Sequence, residues 1–309
     1  MSTGSVLAHA LVLVALPTFV VGLVNRTKAL WSGRRGQPLA QLAYDVVRLL
    51  RKQSVVSTVT TPVFRLTPWV GLATALASGV LVPVLARPAP LAFAFDFVFF
   101  AYVWGLGRVA LMLGALDTGS SFEGMGASRE AFFSAILEPA FFVVVGAACL
   151  LTGERSFASI LALRPTDPIH AVAWVASIVT LLVVVQVESA RMPVDDPTTH
   201  LELTMVHEVM VLDHSGPDLA ALQAAAAIKL TVGLTLVACL LNPLVGRSSG
   251  AVVAAVNVAV TLGLAAALGT VESLVARLKL RAVPQYIVVA LVAAGVALLA
   301  TTFHAGGEG

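Results

Sequence analysis

The chain has 309 residues, of which 58% are apolar and only 12% charged, about half the charged share of an ordinary soluble domain. So much apolar surface cannot be hidden inside a water-soluble fold, and lipid is the solvent to assume. A formal net charge of +2, with no basic block interleaved with aromatics, excludes a nucleic-acid partner.

Crossing the hydrocarbon layer takes about 20 mostly apolar residues at the rise of an α-helix. Eight stretches meet that length: Gly4 to Val24, Leu66 to Ala86, Leu91 to Leu116, Ala131 to Thr152, Ile169 to Val187, Leu219 to Val245, Ala251 to Val271 and Gln285 to Phe303. The expected fold is all-α, one integral membrane domain over residues 1–309, with short interfacial helices added on the cytoplasmic side. The first stretch lacks a basic leading region and a small-residue cleavage site, so a retained helix is expected there and not a removed signal. Cys149 and Cys239 each lie alone in an apolar run and read as small core residues, so no protein-held zinc, haem or iron-sulfur centre is expected in this chain.

Taken in order, the connections alternate sharply in charge. The first, third, fifth and seventh hold thirteen of the 19 Lys and Arg residues, whereas the others hold only Arg87, Arg155, Arg164 and Arg247. Lys and Arg accumulate on the cytoplasmic side of membrane proteins, so the chain is predicted to be a multi-pass protein of the cell membrane with both termini outside. The first basic connection contains Arg34 and Arg35 and then Gln37 to Gln53, where Leu39, Leu42, Val46, Leu49 and Leu50 recur at helical spacing behind Pro38. This segment is predicted to be a helix lying in the interface. The third connection, Asp117 to Glu130, reads DTGSSFEGMGASRE and is expected to be a loop because of its Gly and Ser content; its two close glycines carry no strand and no GK[ST] pattern, which argues against a phosphate site.

The fifth connection, Glu188 to Gly216, is the most unusual. Six acids and three histidines interrupt an otherwise apolar run, and Thr199 with Glu202 has capping-box spacing after Asp196 and Pro197. A short helix to Leu212 is predicted, with His200, Thr204 and His207 on one stripe. His207 and Glu208 lack a second histidine four residues after the first, so a polar cavity lining or a docking surface fits better than a metal site.

Charges inside spans are costly and therefore mark function by default. They are Asp96, Arg108, Glu138 and Lys229, with Glu188 and Glu272 at the cytoplasmic ends of the fifth and seventh spans. Counting the helical rise puts Arg108 about 12 Å and Glu138 about 10 Å from the cytoplasmic ends of their spans, and Lys229 about 15 Å in. Arg108 and Glu138 can therefore pair, and the set outlines a polar path to mid-bilayer. The alternative role for the same charges is paired glue between helices.

These residues carry a family resemblance. RRGQPLAQ with YDVVRLLRKQ, ALDTGSSFEGMGASRE with ILEP, ESARMPVDDPTTHLELTMVHE with LDHSGP, and ESLVARLKLR resemble the complex I subunit-1 family, and within it the branch of formate hydrogenlyase and group 4 [NiFe] hydrogenases. Glu188, Arg191, Pro193, Asp195 and Glu202 match the ExxRxPFD loop pattern of the family, while Val194, Asp196, Asp213 and His214 depart from its complex I version. The resemblance implies a subunit without a redox centre of its own. Its partners would be the [NiFe] large and small subunits, a ferredoxin-like iron-sulfur subunit and antiporter-like membrane subunits, with the [NiFe] centre and the clusters held by those partners. It further implies a coupling path through Asp96, Arg108, Glu138, Glu188, Lys229 and Glu272. The docking or chamber loops would comprise Arg34, Arg35, Asp117, Arg191, Asp195, Asp196, Glu202, His207, Glu208, Asp213, Arg277 and Arg281. A quinone-chamber subunit of complex I is the second reading. A self-contained secondary transporter is the third, though its usual internal repeat is not visible between the two halves.

Overall fold

The computed structural model describes residues 3–85, 89–195, 205–245 and 250–307, with side chains as far as residue 302. Among these residues all regular secondary structure is helical. In chain order the elements are α1 (Thr3–Trp31), α2 (Gln41–Leu50), α3 (Pro62–Leu81), α4 (Asp96–Asp117), α5 (Ser121–Thr152), the short α6 (Phe157–Ile160), α7 (Pro168–Glu188), α8 (Gly216–Leu241), α9 (Gly250–Leu274) and α10 (Val283–Gly307), with single 3-10 turns at Glu208–Val211 and Leu280–Ala282. Eight helices are long and apolar enough to cross a membrane, matching the eight expected spans.

Helix α8 forms the axis of the bundle, with 78% of its most apolar window buried against its neighbours. It packs on α3, α9, α7 and α1, while α10 lies against α5 and α7. One end of the bundle collects the basic connections: the Val55 backbone N–H donates to Ser215 Oγ at 2.8 Å and the Leu278 N–H to Pro193 O at 2.9 Å. The far end is closed by other contacts. Arg164 donates to the carbonyls of Leu240, Cys239 and Asn242 at 2.8–3.1 Å, satisfying the orphan acceptors at the end of α8.

Three local expectations are corrected. The segment Ser121 to Glu130 is not a loop: after Gly119, at a φ of 69°, the chain enters α5 at once. The reason lies in packing. A Cβ on Gly126 would stand 2.4 Å from Val209 Cγ1 and 2.9 Å from the Val206 carbonyl oxygen. Here glycine permits another chain segment to approach the helix, and tertiary contact outweighs its low helix propensity. The interfacial helix is also shorter than Gln37 to Gln53, because Pro38 precedes it and only Gln41–Leu50 winds, with the Gln41 N–H bonded to Pro38 O at 3.1 Å. In the fifth connection, residues 208–211 form a tight 3-10 turn instead of α-helix, and the expected stripe partners His200 and Thr204 lie outside the described residues.

Candidate functional site

The site is built from a row on α4. Asp96, Phe100, Trp104 and Arg108 follow one another at intervals of four, so all four face the bundle interior on one stripe. Each is buried.

Arg108 holds the centre. Its Nη1 donates to Glu188 Oε1 at 2.5 Å, and its Nη2 donates to Glu138 Oε1. The other Glu188 oxygen meets Lys229 Nζ at 2.6 Å, and that ammonium lies 5.5 Å from the centre of the Trp104 ring. Helices α4, α5, α7 and α8 therefore meet on two carboxylates and two cations. Desolvating a charge in hydrocarbon is affordable only with such partners, and the ring face of Trp104 adds to the stabilisation of the cation. Burial is uneven: the Glu188 side chain is 5% exposed and that of Glu138 50%, so Glu138 opens onto the flank of the bundle between α4 and α5.

A second ion cluster lies toward the basic end. Glu272 on α9 meets Lys28 of α1 at 2.9 Å and Arg191 at 3.6 Å. Asp195 pairs with Arg277 at 2.8 Å and accepts the backbone N–H groups of Val206 and His207 at 2.9 and 3.2 Å. Arg129 donates to Met205 O at 2.7 Å. These bonds clamp residues 205–207 against α5.

Two cavities adjoin the ions. An inner one of about 60 Å³ is lined by Trp104, Arg108, Glu130, His207 and Lys229 among others, enough for a few waters. An outer groove of about 300 Å³ runs between α1, α2, the end of α7 and α8, with Asp45, Arg191, His207 and Glu208 on its walls. Burial, followed by the nearby Lys229 charge, pushes the His207 imidazole down to about 4, leaving it neutral at ordinary pH.

The remaining expected site residues separate into groups. Asp96 is 0% exposed, accepts the Phe157 and Phe93 N–H groups at 2.5 and 3.3 Å, and sits at the opposite end of α4, about 18 Å along the helix from Arg108. It clasps the far-end turns and does not join the cluster. Asp117 accepts the N–H groups of Thr61 and Phe64 at 2.7 and 3.2 Å, anchoring the start of α3. Arg34, Arg35, Asp213 and Arg281 are exposed at the basic end, while Asp196 and Glu202 lie outside the described residues. Sequence reasoning passed over Glu130, Trp104 and Lys28. Glu130 is buried beside Arg108 and Lys229, and it stands two turns before Glu138 on the same helix face, a spacing hidden by the loop reading of that segment.

Known proteins place this architecture. Over 243 residues, 77% of this chain and 74% of the relative, the sequence is 28% identical to hydrogenase-4 component C of Escherichia coli (strain K12). It is 27% identical over 234 residues to formate hydrogenlyase subunit 4 of the same organism, covering 74% of each chain. The fold superposes with a TM-score of 0.75 on a chain of the membrane-bound sulfane sulfur reductase, an archaeal respiratory membrane complex, at 14% identity and with 95% of this chain and 99% of that one covered. Residues 4–303 match the NADH dehydrogenase family, and this multi-pass membrane protein belongs to it.

Proposed function

We propose that the chain is the membrane subunit of a formate hydrogenlyase or related group 4 [NiFe] hydrogenase complex, docking a peripheral redox arm at its basic end and coupling electron transfer to ion movement. The carrying observation is the buried network Lys229–Glu188–Arg108–Glu138, which links an interior cavity to a half-exposed carboxylate on the flank of the bundle. A carboxylate left facing lipid at that depth is costly, so a neighbouring membrane subunit of antiporter type covering Glu138 accounts for it. The exposed Arg34, Arg35, Asp213 and Arg281 suit a hydrophilic partner carrying the [NiFe] centre and iron-sulfur clusters. The relatives in hydrogenase and formate hydrogenlyase complexes support this reading over a complex I quinone-chamber role.

The test is purification of the tagged chain in mild detergent followed by metal analysis and flux measurement in inverted vesicles. Nickel and iron should co-purify, and hydrogen evolution should drive proton or sodium movement. A stable, metal-free monomer that catalyses ion exchange alone would establish a secondary transporter instead.

A further inference from the structure

The inner cavity and the outer groove are separate spaces that share two lining residues, Ala226 and His207. Ala226 offers only a methyl group. Among the described residues His207 is thus the one polar side chain belonging to both walls, on the line from the groove to the Lys229–Glu188–Arg108 network.

We propose that His207 is the proton-transfer residue between the groove and the buried network, a role that rests on the coupling function proposed above. A neutral imidazole has one bare ring nitrogen and one N–H, and can accept on one side while donating on the other. A proton from groove water binds the bare nitrogen; the opposite N–H proton passes to a cavity water and on to the Glu130 carboxylate, which becomes the carboxylic acid. The ring is left neutral in its other tautomer and a ring flip restores it. No electrons move and no net charge stays on His207.

The surroundings fit a valve better than a store. The backbone is held by Asp195, which accepts the His207 N–H at 3.2 Å and is itself tied to Arg277 at 2.8 Å, so the ring turns on a fixed support. Facing it are Lys229 from α8, Glu188 from the end of α7, Arg191 just beyond that end, and Glu130 from α5, with Asp45 and the adjacent Glu208 also lining the groove. Burial and the Lys229 cation keep the ring neutral, its pKa pushed down to about 4, which makes the doubly protonated ring a passing state. A groove of about 300 Å³ is large enough to admit free imidazole to the position of a truncated side chain.

The experiment uses the assembled complex in inverted membrane vesicles, comparing wild type with His207→Ala, His207→Asn and His207→Phe, assembly being verified by co-purifying nickel and iron. Hydrogen-driven proton uptake is expected to fall at least tenfold in all three. Millimolar imidazole should restore it in His207→Ala but not in His207→Phe, where the ring fills the site. Wild-type uptake in His207→Phe, or failure of imidazole to restore an assembled His207→Ala complex, overturns the assignment. A wild-type complex that evolves hydrogen and moves sodium but no protons also overturns the assignment, whereas one that moves neither ion sinks the coupling function itself, a result separable from the others.

Discussion

Glu188 and Lys229 approach to 2.6 Å across the interface of α7 and α8, and the same carboxylate takes Arg108 on its other oxygen at 2.5 Å. One buried anion therefore stands between two cations, with Glu138 as the second, more accessible anion. Removing the charge of Glu188 leaves two cations facing one another, which in a buried setting costs about 3–5 kcal/mol. Glu188→Gln is expected to lower the thermal midpoint of the complex clearly, and Glu138→Gln by much less, because Glu138 is half-exposed and serves one cation. Hydrogen-driven ion movement should fall in both variants while partner-subunit activity with a soluble dye persists wherever the complex assembles. Full ion movement in both glutamine variants would reduce these residues to helix glue.

Lys229→Met removes the ammonium from Glu188 and from the Trp104 ring together. The single variant should be destabilised by about 2–4 kcal/mol, and combining it with Glu188→Gln should cost less than the two separate losses added, since both act on one contact. A double-mutant cycle by thermal unfolding in detergent measures this; strict additivity would mean the two groups do not interact.

Gly126→Ala places a methyl group against Val209 and the Val206 carbonyl. The expected result is loosening of residues 205–211 from α5, seen as faster hydrogen exchange at Met210 and Val211 and easier proteolysis of the connection. Gly146→Ala on the same helix is the control, since nothing lies within 4 Å of the added carbon, and it should be neutral or slightly stabilising.

His214 is stacked on Phe64 with ring centroids 3.9 Å apart, and burial holds its pKa down to about 4. The folded state therefore resists a proton that the unfolded chain accepts near the usual histidine value of about 6.5. Its contribution to stability is complete above pH 6.5 and is lost as pH falls toward 4. Hydrogen exchange around residues 211–216 should rise across that window in the wild type, while His214→Phe should flatten the dependence. An unchanged slope in the variant would remove His214 as its source.

Single cysteines at Gln53 and Arg281 are expected to react with an impermeant thiol reagent from the cytoplasmic side, and one at Arg155 from the opposite side. All three positions are exposed. Gln53 and Arg155 labelling from one side would overturn the topology drawn from the basic residues.

The spans and the pairing of Arg108 with Glu138 were legible because hydropathy and the constant rise of a helix are properties of the chain itself. The place of Glu130 was not. It depended on Gly124 and Gly126 lying in a helix, and those glycines look like turn residues until the segment that packs on them is known. Asp96 misled in the opposite way. It falls within the apolar stretch that begins at Leu91, but α4 starts at Asp96, so the carboxylate serves the backbone of a neighbouring turn. Nothing in the residues near Asp96 announces Phe157, which is brought there by the fold.

One turn of α4 beyond Trp104, toward the far end, Phe100 is fully buried among Phe141 and Phe157, its ring 5.9 and 5.1 Å from theirs. This aromatic plug makes the charged site a blind alley along the membrane normal. An ion admitted from the basic end meets aromatic rings next after Trp104 in that direction, and Asp96 beyond them is committed to the Phe157 and Phe93 N–H groups, so its departure runs sideways, past Glu138, into whatever protein lies alongside. Crossing the bilayer then becomes a property of two neighbours and not of this chain alone.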